Sequence, residues 1–248
     1  MSAVYVLWLR EIRRFTRSKM QILASLAQPL LTVFAMGFGL NEVFREAGRG
    51  SYLQFVTPGA LAMIVIFSAS LSGASLLWDR KFGFLKETLV APVPRTFIML
   101  GRTLGVATVA LLQGIVVAVF SVIAGFQPAS LTDLPASIAF LGLIAVAFAG
   151  VGTIIGSWLK NIPDFQLVLN FLIVPMFFLS GAWYPLDTLP NALTLLTHLN
   201  PLSYGIDGLR WALNGQSQFS ATLDAIVLLA LAVTSIGLGA WRFSKIEV

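Results

Sequence analysis

The chain has 248 residues, 57% of them hydrophobic and 11% charged, where a soluble domain carries about 25% charged residues. With a net charge of +5 and a mean hydropathy of +0.87, it leaves no room for a separate soluble domain and reads as an all-α integral membrane protein. Cys is absent, which removes disulfides, thiolate catalysis and Cys-bound metals, and His198 alone cannot build a His cluster.

In chain order, the first 20 residues read as an amphipathic helix lying in the membrane interface. At about 100° per residue, Met1, Val4, Tyr5, Trp8, Ile12 and Phe15 share one face, and Arg10, Arg13, Arg14 and Arg17 the other. Trp8 is expected at headgroup level, with Arg13 and Arg14 near anionic lipid. No apolar core long enough for a signal peptide precedes Ser25-Leu26-Ala27, so the N-terminus is expected to be retained.

Six stretches are then apolar enough to span, at 21–41, 54–77, 97–125, 136–159, 165–183 and 221–241. Pro175 predicts a kink in the fifth. Residues 184–220 form a long, oddly apolar outer loop, predicted as two short re-entrant or interfacial helices separated at Asn200-Pro201. In the second, Leu202, Ile206, Leu209 and Leu213 share a face and require something to pack against. Thirteen of the sixteen basic residues fall on one side of this topology, which makes both termini cytoplasmic.

Arg102, near the inner end of the third stretch, is counted with the cytoplasmic loop, so the rest of the spans are expected to hold no basic residue and, at Asp224, one acid; an internal proton relay is not expected. Gln28, Gln113, Gln166 and Asn170 are expected to hydrogen-bond between helices. His198 reads as structural, and Asp207 with Arg210 as a helix-surface pair. Gly101-x-x-x-Gly105 and Gly152-x-x-x-Gly156 are expected to bring helices of this chain close together. The sequence contains no His-Glu-x-x-His, no Gly-x-Ser-x-Gly and no Gly-x-x-x-x-Gly-Lys-Ser/Thr, so energy for any work must come from another chain.

The densest charge lies between the second and third spans, at 78–96, where Gly83 precedes a predicted two-turn helix from Phe84 to Val90 that Pro92 and Pro94 end. Leu85 and Leu89 lie four apart on one face, and such a short, framed helix suits a groove on another protein. The order Arg80, Gly83, Glu87, Leu89, Pro92, Arg95, Gly101 resembles the first cytoplasmic loop of ABC-2 type ATP-binding cassette transporter permeases, in the daunorubicin-resistance and nodulation-factor-export branch. Leu179-Ser180-Gly181-Ala182-Trp183-Tyr184-Pro185, Leu189-Pro190, Leu199-Asn200-Pro201-Leu202-Ser203-Tyr204 and Asp207-Gly208-Leu209-Arg210 resemble the same family's segment between the fifth and sixth spans. The resemblance covers nearly the whole chain as one transmembrane domain.

It implies a permease of a bacterial inner membrane, paired with a second copy or a paralogue and with two copies of a cytoplasmic ATPase. ATP and Mg would be bound by that ATPase, with no cofactor in this chain and no nucleic-acid partner. Leu85 and Leu89 would pack in the ATPase groove, with Arg80, Lys81, Glu87 and Arg95 as rim charges. Ser68, Ser72 and Ser75, with Asn170 and Phe178, are candidates for a substrate path. The implied activity is export of an amphipathic drug, lipid or lipid-linked substrate. Polysaccharide or lipo-oligosaccharide export, and a non-transporting scaffold for a cytoplasmic partner, remain open on the residues alone.

Overall fold

The computed structural model describes residues 3–186 and 190–245, so Met1 and Leu189 lie outside the described residues. Within them the protein is all helical. An amphipathic α1 (Ala3–Arg17) leads into α2 (Lys19–Leu31), which runs on through a π-helical turn (Thr32–Met36) and α3 (Gly37–Gly39). Pro29, inside α2, has no N–H to give the helix, and the π turn follows it. After α4 (Asn41–Glu46) come α5 (Tyr52–Ser70) and α6 (Ser72–Lys81), one span interrupted at Leu71, then α7 (Phe84–Val90), α8 (Arg95–Ile123) and α9 (Leu134–Trp158). The chain continues as α10 (Ile162–Phe178), α11 (Asn191–Leu199), α12 (Pro201–Asn214) and α13 (Ala221–Ser244).

Among the described residues, five helical stretches are long and apolar enough to cross a membrane: Lys19–Gly39, Tyr52–Lys81, Arg95–Ile123, Leu131–Trp158 and Ala221–Ser244. The expected fifth span, 165–183, is instead the shorter apolar helix Ile162–Phe178. Asn161 starts it by accepting from the Asp164 N–H, and Pro175 near its end strips one donor from its last turns.

The centre of the bundle is α5 against α9. α5 is apolar all round, and most of its length is buried, from Tyr52 to Ile66 on nearly every face. Because lipid tails are as apolar as Leu, close packing rather than exclusion from water holds such helices together. Gly73 supplies the closest approach: a Cβ there would stand 2.1 Å from the Gly152 carbonyl oxygen, and one at Gly156 2.5 Å from the Gly73 Cα. The Gly152-x-x-x-Gly156 pair therefore packs within the chain, as its spacing predicts. Ser72 reinforces the crossing by donating to the Ala149 carbonyl at 2.6 Å.

At the far end from α1, α12 lays Leu202, Ile206 and Leu209, all fully buried, and Leu213 into this core. Asn200 fixes its start twice over, accepting from the Leu202 N–H at 3.1 Å and donating to the Met176 carbonyl at 2.6 Å, which joins α12 to α10.

Candidate functional site

The α6–α7–α8 corner is built from local rules. Gly83 caps α7 with φ +83°, a left-handed conformation that costs an L-residue roughly 1–2 kcal/mol and glycine almost nothing. Ala91, before Pro92, is extended and ends the helix, and Pro94 starts α8. The two arms of the corner are tied to the ends of other helices. Arg80 donates to the Leu159 carbonyl at 3.1 Å and Arg95 to the Ser244 carbonyl at 2.8 Å, at the C-termini of α9 and α13, where the helix dipole favours a cation.

These contacts correct the expected division of labour. Leu85 faces inward: it is fully buried with Leu76, Ile98, Met99 and Phe243, and Leu89 packs against the same cluster. Arg80 and Arg95 each donate within the chain. What α7 turns outward is Phe84, Lys86, Glu87 and Val90, the last 86% exposed. Beside it, Trp78 stacks on Phe82 with centroids 5.5 Å apart, and the Lys81 Nζ lies 5.6 Å over the Trp78 ring. Pro92 is exposed at the turn.

Directly behind the corner is a buried charge cluster that the sequence reading did not identify. Asp79 Oδ2 accepts from Arg102 Nη1 at 2.6 Å and from Arg10 Nη2 at 2.9 Å, and Arg10 Nη2 also reaches Glu11 Oε1 at 2.9 Å. Asp79, Arg102 and Glu11 are 7%, 5% and 5% exposed and Arg10 is half-buried, so the cluster balances two cations against two carboxylates with three of the four groups out of water. Burial alone would lower the Arg10 guanidinium, but its hydrogen bond and proximity to Glu11, with Asp79 beside it, hold it above the ordinary arginine value. Arg102 thus lies inside α8 rather than in the loop, and Arg10 points inward rather than joining Arg13, Arg14 and Arg17 on the exposed face. The signal available was arithmetic: Glu11 and Asp79 are acids set among basic residues, each one residue from an arginine.

α1 is held on α8 by the other glycine pair. A Cβ at Gly101 would stand 2.7 Å from the Val4 carbonyl oxygen, and one at Gly105 2.8 Å from the Glu11 Cβ. Trp8, expected at the headgroups, donates its indole N–H to Thr108 Oγ1 at 3.0 Å. One helix therefore connects the corner, the cluster and the third long span.

Of the residues expected to line a path, Ser68 and Ser75 border a cavity of about 570 Å3 between α1, α2, α5, α6, α8 and α10. Ser72 does not; it is spent on the α6–α9 crossing. Asn170 and Phe178 lie on the outward face of α10, exposed together with Phe171. Gln113 makes the expected interhelical bond, donating to Ser25 Oγ at 2.8 Å.

At the opposite end, Asp207 and Arg210 are not a surface pair. Asp207 accepts the backbone N–H groups of Gln218 at 2.9 and 3.0 Å and of Phe219 at 2.8 Å, closing the loop after α12. Burial raises its carboxyl above the usual range against those hydrogen bonds. Arg210 donates to the Gly181 carbonyl and lies 4.2 Å over the Phe55 ring, and burial pushes it down to about 10. His198 contacts the Thr194 carbonyl at 2.7 Å and meets Phe219 edge-on, a structural role.

A bundle of apolar helices, with an amphipathic helix and a framed two-turn helix gathered round one charge cluster, defines a multi-pass membrane protein. The family described as ABC-2 type transporter matches residues 2–214, and the chain belongs to it. It is 34% identical over 218 residues to the inner membrane transport permease YadH of Escherichia coli, covering 86% of this chain and 83% of that one. It is 28% identical over 239 residues to the putative transport permease ycf38 of Cyanophora paradoxa, covering 95% and 81%. With nodulation protein J of Sinorhizobium fredii it shares 28% identity over 216 residues, covering 86% and 81%. The protein is a transport permease, and permeases of this family generally work with an ATP-binding subunit.

Proposed function

We propose that this permease exports an amphipathic or lipid-linked substrate, driven by ATP hydrolysis in a separate cytoplasmic subunit that seats on the outward face of α7. Two copies of the permease, or one with a paralogue, pair with two copies of the ATPase. Ile162–Phe178, about 26 Å long at 1.5 Å per residue, serves as the fifth of six spans with some local thinning of the bilayer, which returns both termini to the cytoplasmic side. Arg13 and Arg14, exposed on α1, then face anionic headgroups.

The observation that carries this reading is the Arg10–Asp79–Arg102 linkage directly behind α7. Three helices meet there on the buried Asp79, which Arg102 and the half-buried Arg10 both hold, while Leu85 anchors α7 into the adjacent apolar cluster. A push on Phe84, Lys86, Glu87 or Val90 would move α1, α6 and α8 together rather than bend a loop. Pull-down of the tagged permease from its native membrane tests the reading. A cytoplasmic ATPase should copurify and hydrolyse ATP, and Glu87→Arg with Val90→Asp should abolish both the association and any ATP-dependent transport. A complex that binds and transports unchanged with that pair of substitutions would refute the seat on α7.

A further inference from the structure

The cavity of about 570 Å3 has a volume typical of a small-molecule site, and the chemistry of its walls is unusual for a place between apolar helices. Its charged lining residues, Glu11 and Arg14, both come from α1. Elsewhere three helices contribute uncharged amides, Gln21 and Gln28 from α2, Gln113 from α8 and Gln166 from α10, and Ser25 joins them. Gln28 and Gln166 are exposed in the chain, whereas Gln113 is 3% exposed. The Gln113 Nε2 is satisfied by Ser25, but its Oε1 has no partner among the described residues.

A buried acceptor without a donor is costly, and amides facing hydrocarbon are more so. The group that answers them is one bearing hydroxyl or amide N–H donors, which an amide can both receive and return. A charged head would lose its hydration beside the amides and find no counter-charge among them, since Glu11 and Arg14 both stand at the α1 side and Glu11 is already paired with Arg10. Phe67 and Trp78 supply apolar surface on the same cavity.

We propose that this cavity binds the uncharged, hydroxyl- or amide-bearing head of an amphipathic molecule whose apolar part lies along Phe67 and Trp78. This deepens the export reading, and rests on it only for the direction in which the molecule then moves.

The test uses the full permease in phosphatidylcholine nanodiscs, with octyl glucoside carrying a nitroxide on its tail as the probe and quenching of Trp fluorescence as the signal. A trimethylammonium amphiphile with the same labelled tail is the control, since it is charged and donates no hydrogen bond. The expected result is saturable quenching by the glucoside that Trp78→Phe largely removes. Gln113→Leu should weaken it roughly tenfold, the loss of a hydrogen bond at a buried site. Gln28→Leu, at an accessible wall where folding is not at stake, should weaken it severalfold, with the control amphiphile indifferent to both changes. Absence of saturable quenching in the unaltered protein would mean that the cavity holds water only. That result, or binding of both probes with no response to either glutamine, would overturn the proposal. Binding is read without nucleotide or partner, so either result leaves the α7 experiment to stand or fall separately.

Discussion

Arg102 Nη1 stands 2.6 Å from Asp79 Oδ2, with 5% of the arginine and 7% of the aspartate exposed. The pair joins the start of the third long span to the end of the second. Removing one partner leaves a buried charge without compensation, so Asp79→Ala should cost on the order of 3–5 kcal/mol. Asp79→Leu together with Arg102→Met should recover most of that loss, because two apolar side chains leave nothing unpaired. Denaturant unfolding of the three proteins checks this; a double variant no more stable than the single one would contradict it.

Gly73 carries a different kind of constraint. The space its missing Cβ would need is occupied by the Gly152 carbonyl and the Phe165 ring, 2.1 and 2.5 Å away. Backbone cannot step aside as a side-chain tip can, so Gly73→Val should separate α6 from α9 and prevent accumulation of folded protein. Substituting valine at Gly142, where a Cβ meets nothing within 4 Å, should be tolerated. Comparison of monodisperse yield after size exclusion distinguishes the two.

The seat of α1 can be probed in two strengths. Trp8→Phe removes one indole hydrogen bond while Thr108 keeps its own bond to the Leu104 carbonyl, so the loss should be about 0.5–1.5 kcal/mol. Gly105→Leu pushes against Glu11 and the Trp8 carbonyl and should lift α1 from α8. Trypsin cleavage at Arg10, Arg13 and Arg14 should accelerate strongly in the second variant and little in the first.

Leu85 and Val90 sit on one short helix with opposite fates. Leu85→Ala opens a hole in the Leu76, Ile98, Met99, Phe243 cluster and should cost about 2–5 kcal/mol. Val90 is 86% exposed, so Val90→Ala should stay within about 0.5 kcal/mol of the unaltered protein. Equal effects in thermal unfolding would contradict the orientation of α7 described above.

These positions also show what was legible in the sequence. Glycine and proline announced the α7 corner correctly, because backbone conformation is a local property that Gly83, Pro92 and Pro94 set by themselves. Hydrophobic length marked the helices at 19–39, 52–81, 95–123, 131–158 and 221–244, since hydrocarbon imposes its thickness directly. The direction of Leu85 was not legible: a two-turn helix has an apolar ridge whether that ridge meets its own chain or another. Nor was the ionic cluster, whose members are separated by up to 92 positions in the chain, from Arg10 to Arg102, and meet only because Gly101 and Gly105 let α1 settle on α8. Arg10 was misjudged, and the bond from Trp8 to Thr108 missed, for the same reason, since a helical wheel shows faces but not which face finds protein.

The chain contains no cysteine, so a single introduced one reports its own surroundings without interference. The most direct test of the central claim places Cys at Val90, attaches a thiol-linked photo-crosslinker, and illuminates the complex purified with its ATPase. The account predicts a crosslink to the ATPase from position 90, and none from a Cys placed at Leu131, which is 74% exposed at the opposite end of the bundle. An intact complex in which position 90 crosslinks only to lipid, or position 131 crosslinks to the ATPase, would contradict it.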